Sequence, residues 1–149
     1  MGPTGKPMTP GNRGAGSARL AAQGLHVVLA EDDLETRTLL ASALRSDGLE
    51  VDEVADGSAL QKLLGTGHHG SGRGVPDLIV TDIRMPGLSG LEVLEELRRR
   101  DWATPVILIT AYDDRDTQDE ARRLGAAAVF RKPFELEDLE TAIINLVAG

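Results

Sequence analysis

The sequence predicts an α/β domain in which a doubly wound, five-stranded parallel sheet carries helices on both faces. Three observations lead there. Five short runs rich in Val, Ile and Leu recur between residues 25 and 131, and each is followed by a stretch of helical periodicity. Strict alternation of strand and helix makes successive strands parallel, because the crossover helix returns the chain to the same edge of the sheet. The length, 149 residues, suits one domain at about 150 residues per domain.

The elements follow in order. Residues 1–24 hold six Gly and three Pro with almost no apolar period, and read as a disordered tail; the domain proper is 25–149. Leu25–Ala30 is a continuous apolar run, as for a strand covered on both faces. Residues 34–46 carry Leu40, Ala43 and Leu44 at helical spacing. Leu49–Val54 alternates as a strand, and Ser58–Leu64 is a short helix. Residues 65–74 include five Gly and form a loop. Asp77–Thr81 is the third strand. Ser89 and Glu92 make a capping box for a helix reaching Arg100. Pro105–Thr110 is the fourth strand, and Asp116–Leu124 is a charged helix ended by Gly125. Ala127–Arg131 is the fifth strand. Leu136, Leu139, Ile143 and Leu146 stripe the last helix.

Composition removes several classes of function. The chain has no cysteine, so disulfides, thiolate metal sites and a Cys nucleophile are excluded. No apolar run approaches the ~18 residues of a membrane span, and no signal-peptide pattern opens the chain; the expected location is cytoplasmic, with no membrane partner. Net charge is −8, and it is unevenly spread: the tail has three basic residues and no acid, whereas residues 25–149 carry 13 basic and 24 acidic residues, which is −11. So acidic a body is a poor phosphate-backbone binder, and no direct nucleic-acid binding is expected.

In this class of fold, function sits at the C-terminal strand ends. Those ends carry Glu31-Asp32-Asp33, Asp82, Thr110-Ala111 and Lys132-Pro133. Any one polar residue there is an ordinary cap or turn; all of them on one edge is a pattern. Converging carboxylates repel by about 4 kcal/mol at ~4 Å in a surface-like dielectric, so they take up protons or bind a hard cation. Mg²⁺ suits carboxylates that share it with a phosphate. A Thr hydroxyl and a Lys ammonium opposite can receive phosphoryl oxygens. Together these groups describe phosphoryl transfer to a carboxylate.

The segments VVLAEDD (27–33), DLIVTDIRMPGLSGLEVL (77–94), PVILITAY (105–112) and RLGAAAVFRKPF (123–134) resemble the receiver domain of two-component response regulators, in order and over nearly all of residues 25–147. The resemblance implies a flavodoxin-like sheet of strand order 2-1-3-4-5. It implies Asp82 as phosphoacceptor and Mg²⁺ held directly by Asp33, Asp82 and the Arg84 carbonyl, with Asp32 acting through water. It implies Lys132 and Thr110 as partners of the phosphoryl group, and a cis Lys132–Pro133 bond. The donor would be a histidine kinase or phosphotransfer protein. The output would pass through the 112–147 surface to a protein effector, and the chain would be no enzyme beyond promoting its own phosphorylation and dephosphorylation.

Two positions depart from the family or stay open. Receivers carry an aromatic residue three before the Lys; here it is Val129, and strand alternation turns Phe130 to the opposite face. Arg84 either overhangs the phosphoryl site or contributes only its carbonyl. His26, His68, His69 and Trp102 read as packing or surface residues. A haloacid-dehalogenase-type phosphatase would need a second acid where Arg84 stands, and a nucleotide binder would need a Gly-rich phosphate turn that is missing. A pseudo-receiver, or a receiver excised from a larger regulator such as a transcription factor, remains as the alternative. If the chain is a whole gene product, its output is intermolecular.

Overall fold

The computed structural model describes residues 24–65, 75–111 and 115–148. The expectations for the tail up to residue 23 and for His68 and His69 in the Gly-rich loop lie outside those residues. Among the described residues, strands and helices alternate as β1 (His26–Ala30), α1 (Leu34–Ser46), β2 (Glu50–Val54), α2 (Gly57–Gly65), β3 (Leu78–Asp82), α3 (Gly90–Arg99), β4 (Val106–Thr110), α4 (Arg115–Arg123), β5 (Ala128–Arg131) and α5 (Leu136–Ala148). All strand pairs are parallel, in the order β2-β1-β3-β4-β5. The connections leave β1 and β3 in opposite directions, which opens a crevice beyond the carboxyl ends of these two strands.

The apolar runs dictate the layers. β1, β3 and β4 are buried along their whole length, as strands covered on both faces must be. Alternate residues divide between two cores. Val27, Leu29, Val80 and Ile109 pack with Leu40 and Leu44 of α1 and Leu139 and Ile143 of α5. Val28, Ala30, Ile79 and Leu108 face Leu60 of α2, Leu94 and Leu97 of α3 and Ala121 of α4. Each fully buried Leu, Ile or Val contributes about 1.5–3 kcal/mol relative to exposure. Helix α4 is the least embedded: Ala121 is its one buried residue. Val129 and Phe130 fall in opposite cores, and the Phe130 ring lies 5.6 Å from that of Phe134.

Helix ends follow local chemistry. Ser89 and Glu92 form the full capping box of α3. Gly125, at φ 88°, ends α4: its N–H bonds Arg122 O and the next N–H bonds Ala121 O, both at 2.9 Å, the paired bonds of a Schellman end that needs a left-handed residue. His26 is a packing residue, with Nε2 2.7 Å from Asp52 Oδ2. Trp102 is half-buried against the α3 side of the sheet, with the Arg100 guanidinium 5.9 Å from its ring centre.

Arg98 joins the end of α3 to two further segments by hydrogen bonds to their backbone. Its guanidinium donates to the carbonyls of Trp102 (2.8 Å), Thr104 (3.3 Å), Gly125 (3.1 Å) and Leu124 (3.3 Å). It thereby clamps the C-terminal end of α4 to the α3–β4 connection. Arg98→Met is expected to lower stability in urea by about 1.5–3 kcal/mol, the range for charge-assisted hydrogen bonds, with hydrogen exchange rising first at residues 121–126. Unchanged exchange there would contradict the clamp.

Candidate functional site

Four strands deliver their last side chains to one edge. Registry makes this possible: Ala30 pairs with Thr81, Asp82 with Ile109, and Thr110 with Arg131. The main chain continues the ladder past the strand ends, with Ile83 N–H on Ile109 O (2.8 Å) and Lys132 N–H on Thr110 O (2.6 Å). The Lys132–Pro133 bond is cis. The loop after Asp82 is held by close backbone approach. Gly57 donates its N–H to Pro86 O at 3.0 Å, and a Cβ there would collide with the Leu88 backbone. A Cβ on Gly90 would collide with the Asp82 carbonyl.

Three carboxylates meet at this edge: one oxygen each from Glu31, Asp32 and Asp82, all within 4.8 Å of one another. Glu31 and Asp82 are buried and Asp32 is exposed. The Lys132 ammonium sits 3.0 Å from Glu31 Oε1 and 3.4 Å from Asp82 Oδ1. The second contact is an ion pair without hydrogen-bond geometry, so Asp82 Oδ1 is buried with no hydrogen-bond partner. Thr110 is buried beside them, 3% exposed. Arg84 stands exposed on the loop.

The charge balance is uneven. Burial, then the neighbouring Glu31 carboxylate, pushes the Asp82 carboxyl up to about 8, and Lys132 only partly offsets this. Burial also works against ionisation of Glu31, but hydrogen bonds from Asp82, the Asp33 N–H and Lys132 hold it below the usual carboxylate range. Burial opposes the charge on Lys132, yet Glu31 and Asp82 raise it above the ordinary lysine value. Burial and the Glu31 charge therefore favour proton uptake at Asp82 over Glu31. A hard-oxygen cluster of two buried carboxyl groups and one exposed one, in which Asp82 Oδ1 lacks a hydrogen bond, is a donor set that fits Mg²⁺.

One expected ligand moves. The sequence reading placed Asp33 beside Asp82; the structure places Glu31 there and turns Asp33 outward as the N-cap of α1. Asp33 Oδ2 accepts the Thr36 N–H at 2.9 Å and the Thr36 hydroxyl at 2.6 Å, and these bonds lower its pKa. Three consecutive acids are alike in composition, but the signal was present: a helix starting at residue 34 makes Asp33 its cap, and Asp is a preferred cap. Asp32, Asp82, Thr110 and Lys132 stand at the strand ends as expected. Arg37 was not singled out; its guanidinium donates to the Glu31 carbonyl at 2.8 Å and fixes the turn out of β1.

Residues 27–144 match the family model described as the response regulator receiver domain. The chain belongs to that family. Among curated relatives, the receiver is 38% identical over 123 residues to the transcriptional regulatory protein TctD of Salmonella typhimurium, covering 83% of this chain and 52% of that protein. It is 33% identical over 117 residues to the regulatory protein AtoC of Escherichia coli, covering 78% of this chain and 24% of AtoC. The chain thus spans about half or less of the length of these relatives. Among solved structures, it matches the Francisella response regulator 1452 receiver domain at TM-score 0.73 and 26% identity, over 84% of this chain and 97% of that one. It matches the response regulator TrrA of Thermotoga maritima, in complex with Mg²⁺-BeF, at TM-score 0.69 and 29% identity, over 82% and 98%.

The receiver's cap and its acid cluster are separable. Asp33→Ala is expected to cost about 1 kcal/mol of stability, the loss of an N-cap, while leaving Mg²⁺ binding by calorimetry far less affected than Asp32→Asn does. Loss of Mg²⁺ binding in Asp33→Ala equal to that in Asp32→Asn would return Asp33 to the ligand set.

Proposed function

We propose that this receiver is a phosphorylation switch in which Asp82 accepts a phosphoryl group from the phosphohistidine of a histidine kinase or phosphotransfer protein. The observation that carries the reading is the buried Asp82 carboxyl at a strand end, with Glu31 and Asp32 oxygens within 4.8 Å and the Lys132 ammonium 3.4 Å from its Oδ1. An Asp82 oxygen attacks phosphorus in line, the phosphorus–nitrogen bond breaks, and the imidazole leaves as the new acyl phosphate forms. The chain supplies position and charge, which is most of what this chemistry needs. Asp32 and Asp82, with the Arg84 carbonyl, would hold Mg²⁺, which would supply positive charge to the Asp82 carboxylate and to the phosphoryl oxygens.

The product adds about two negative charges and three strong acceptors within reach of Lys132 and Thr110. Their altered bonding biases the β4–α4 and β5–α5 units, of which α4 is held by little apolar contact. The donor docks beside the pocket: Leu34 and Leu39 on α1 are 65% and 60% exposed, and Leu39 lines a groove with Pro133 and Phe134. Output runs through the α4–β5–α5 surface to a protein, in keeping with the −11 charge of residues 25–149. The relatives named as transcriptional regulators, about twice as long, favour a second reading, the receiver part of a DNA-binding regulator. No helix among the described residues is long and apolar enough to cross a membrane, and we place the domain in the cytoplasm. It is no enzyme beyond its own phosphorylation and dephosphorylation.

Incubation with acetyl phosphate and Mg²⁺, read by intact mass, is expected to add one phosphoryl group. The gain should vanish without Mg²⁺ and in Asp82→Asn. No gain, with a known receiver modified in parallel, would contradict the proposal and favour a pseudo-receiver.

A further inference from the structure

The two edge strands of the sheet differ in chemistry. β2 carries Glu50, Asp52 and Glu53 among its five residues, and Glu53 is paired with Arg37 and Arg45. Charge of this kind discourages pairing with another chain. β5, at the opposite edge, reads Ala-Val-Phe-Arg and has no acid. Its register sets Ala128 beside Ile107 and Phe130 beside Ile109, and the Lys132 N–H bonds Thr110 O at 2.6 Å. Ala128, Phe130 and Lys132 therefore turn their main chain towards β4, and the N–H and C=O of Val129 point to the free edge. Among the described residues no strand pairs with that edge.

A groove of about 590 Å³ runs between this edge and α4, within the size range of ligand-binding clefts. Gln118 and Arg122 of α4 and Ala127, Val129 and Arg131 of the strand line it, and no acid does. Alternation puts Ala127, Val129 and Arg131 on one face, the face on which Val129 packs towards α4. Arg122 stands where the chain enters β5 and Arg131 where it leaves, with the small Val129 and Ala127 side chains between them. The ion pair of Arg122 with Asp119 is 3.4 Å long and well exposed on both sides, so it contributes little. Residues 115–131 carry four arginines and three acids, which is +1, whereas the rest of 25–149 carries nine basic and 21 acidic residues, which is −12.

We propose that the β5 edge is a strand-addition site for an extended segment of a partner protein, whose main chain pairs with Val129 and whose alternate side chains are an acid, a large apolar group and a second acid. Residues i, i+2 and i+4 of an added strand share one face, so the two acids meet Arg122 and Arg131 while the apolar group fills the space over Val129. Main-chain bonds supply affinity in this mode of recognition and the alternate side chains supply specificity. Arginine suits the ends, because its planar fork takes a carboxylate through two bonds. The N-terminal segment, with three basic residues and no acid, does not complement the groove, and a second copy would set arginines against arginines. The role of the site in output rests on the reading of the α4–β5–α5 face given above; the strand addition stands on the geometry of the resting domain.

The probes are two peptides, acetyl-Glu-Thr-Phe-Thr-Glu-Thr-amide and its counterpart with Lys in place of both Glu, added to the unphosphorylated full chain and followed by amide NMR. The acidic peptide should shift resonances across residues 118–131 and slow exchange of the Val129 amide about fivefold or more at saturation, as for one added hydrogen bond. The Lys peptide should bind at least about tenfold more weakly, the loss of one charge-assisted contact. Arg122→Glu combined with Arg131→Glu, both exposed positions, should reverse that preference. Shifts with unchanged Val129 exchange would overturn strand addition, and equal binding of the two peptides would overturn the acidic chemistry. No shift at millimolar peptide, or shifts centred on β2 or α1, would overturn the site. The same shifts growing with protein concentration alone would replace the partner by a second copy. None of these steps needs a phosphoryl group, so their failure leaves the Asp82 reading standing, and the reverse holds. The link to output is read separately: once intact mass shows the phosphoryl gain, affinity for the acidic peptide should change at least about threefold, within the usual range of coupling between sites, and an unchanged affinity would overturn that link.

Discussion

Two buried carboxyl groups, Glu31 and Asp82, share one lysine at the carboxyl edge of the sheet, and this imbalance of charge governs the rest of the pocket. Neither acid can leave: Glu31 is bound through its own backbone to β2 and α1, and Asp82 is the last residue of a fully buried strand. Burial alone would neutralise both groups. The lysine lies nearer Glu31, at 3.0 Å against 3.4 Å for Asp82, and proton uptake is favoured at Asp82. A cation placed at this site would relieve a charge repulsion already present.

The fold holds the imbalance in place by stiffness around it. Two separate apolar cores clamp the three central strands, so the strand ends cannot splay to let water between the acids. Gly57 and Gly90 allow backbone to touch backbone around the loop after Asp82, where any side chain would push the loop outward. The opposite quality appears at α4. One buried alanine, exposed ion pairs such as Arg122–Asp119 that contribute little, and the Arg98 clamp hold it. A rigid site beside a lightly held helix is an arrangement in which a local change of charge can move one element and leave the sheet as it was.

Much of this was legible in the sequence, for reasons that differ by residue. Asp82, Thr110 and Lys132 were found because a polar residue ending a buried strand must sit at an edge, and the order of motifs put those edges together. Ser89, Glu92 and Gly125 carry their structural roles in their own chemistry, and alternation alone separated Val129 from Phe130. Glu31 and Asp33 were exchanged because the choice among three consecutive acids depends on where the strand turns into the helix. Arg98 left no signal, since its partners are backbone carbonyls, which every residue has, and the same holds for the bond from Arg37 to the Glu31 carbonyl. Strand order came from family resemblance and could not be read from periodicity, which is the same for any ordering of parallel strands.

The central claim is that Asp82 is held protonated by burial and Glu31 until positive charge arrives. Its folded pKa, about 8 against 3.8 for the free side chain, means that the folded metal-free protein binds the extra proton between those values. Stability from this group is full below the lower value and falls as pH rises through the window. The direct measurement is a carbon NMR titration of the Asp82 carboxyl in metal-free protein. The account predicts a midpoint near 8, moved down by Mg²⁺. A midpoint near 4 without metal would show that the carboxyl is ionised at rest and would contradict it.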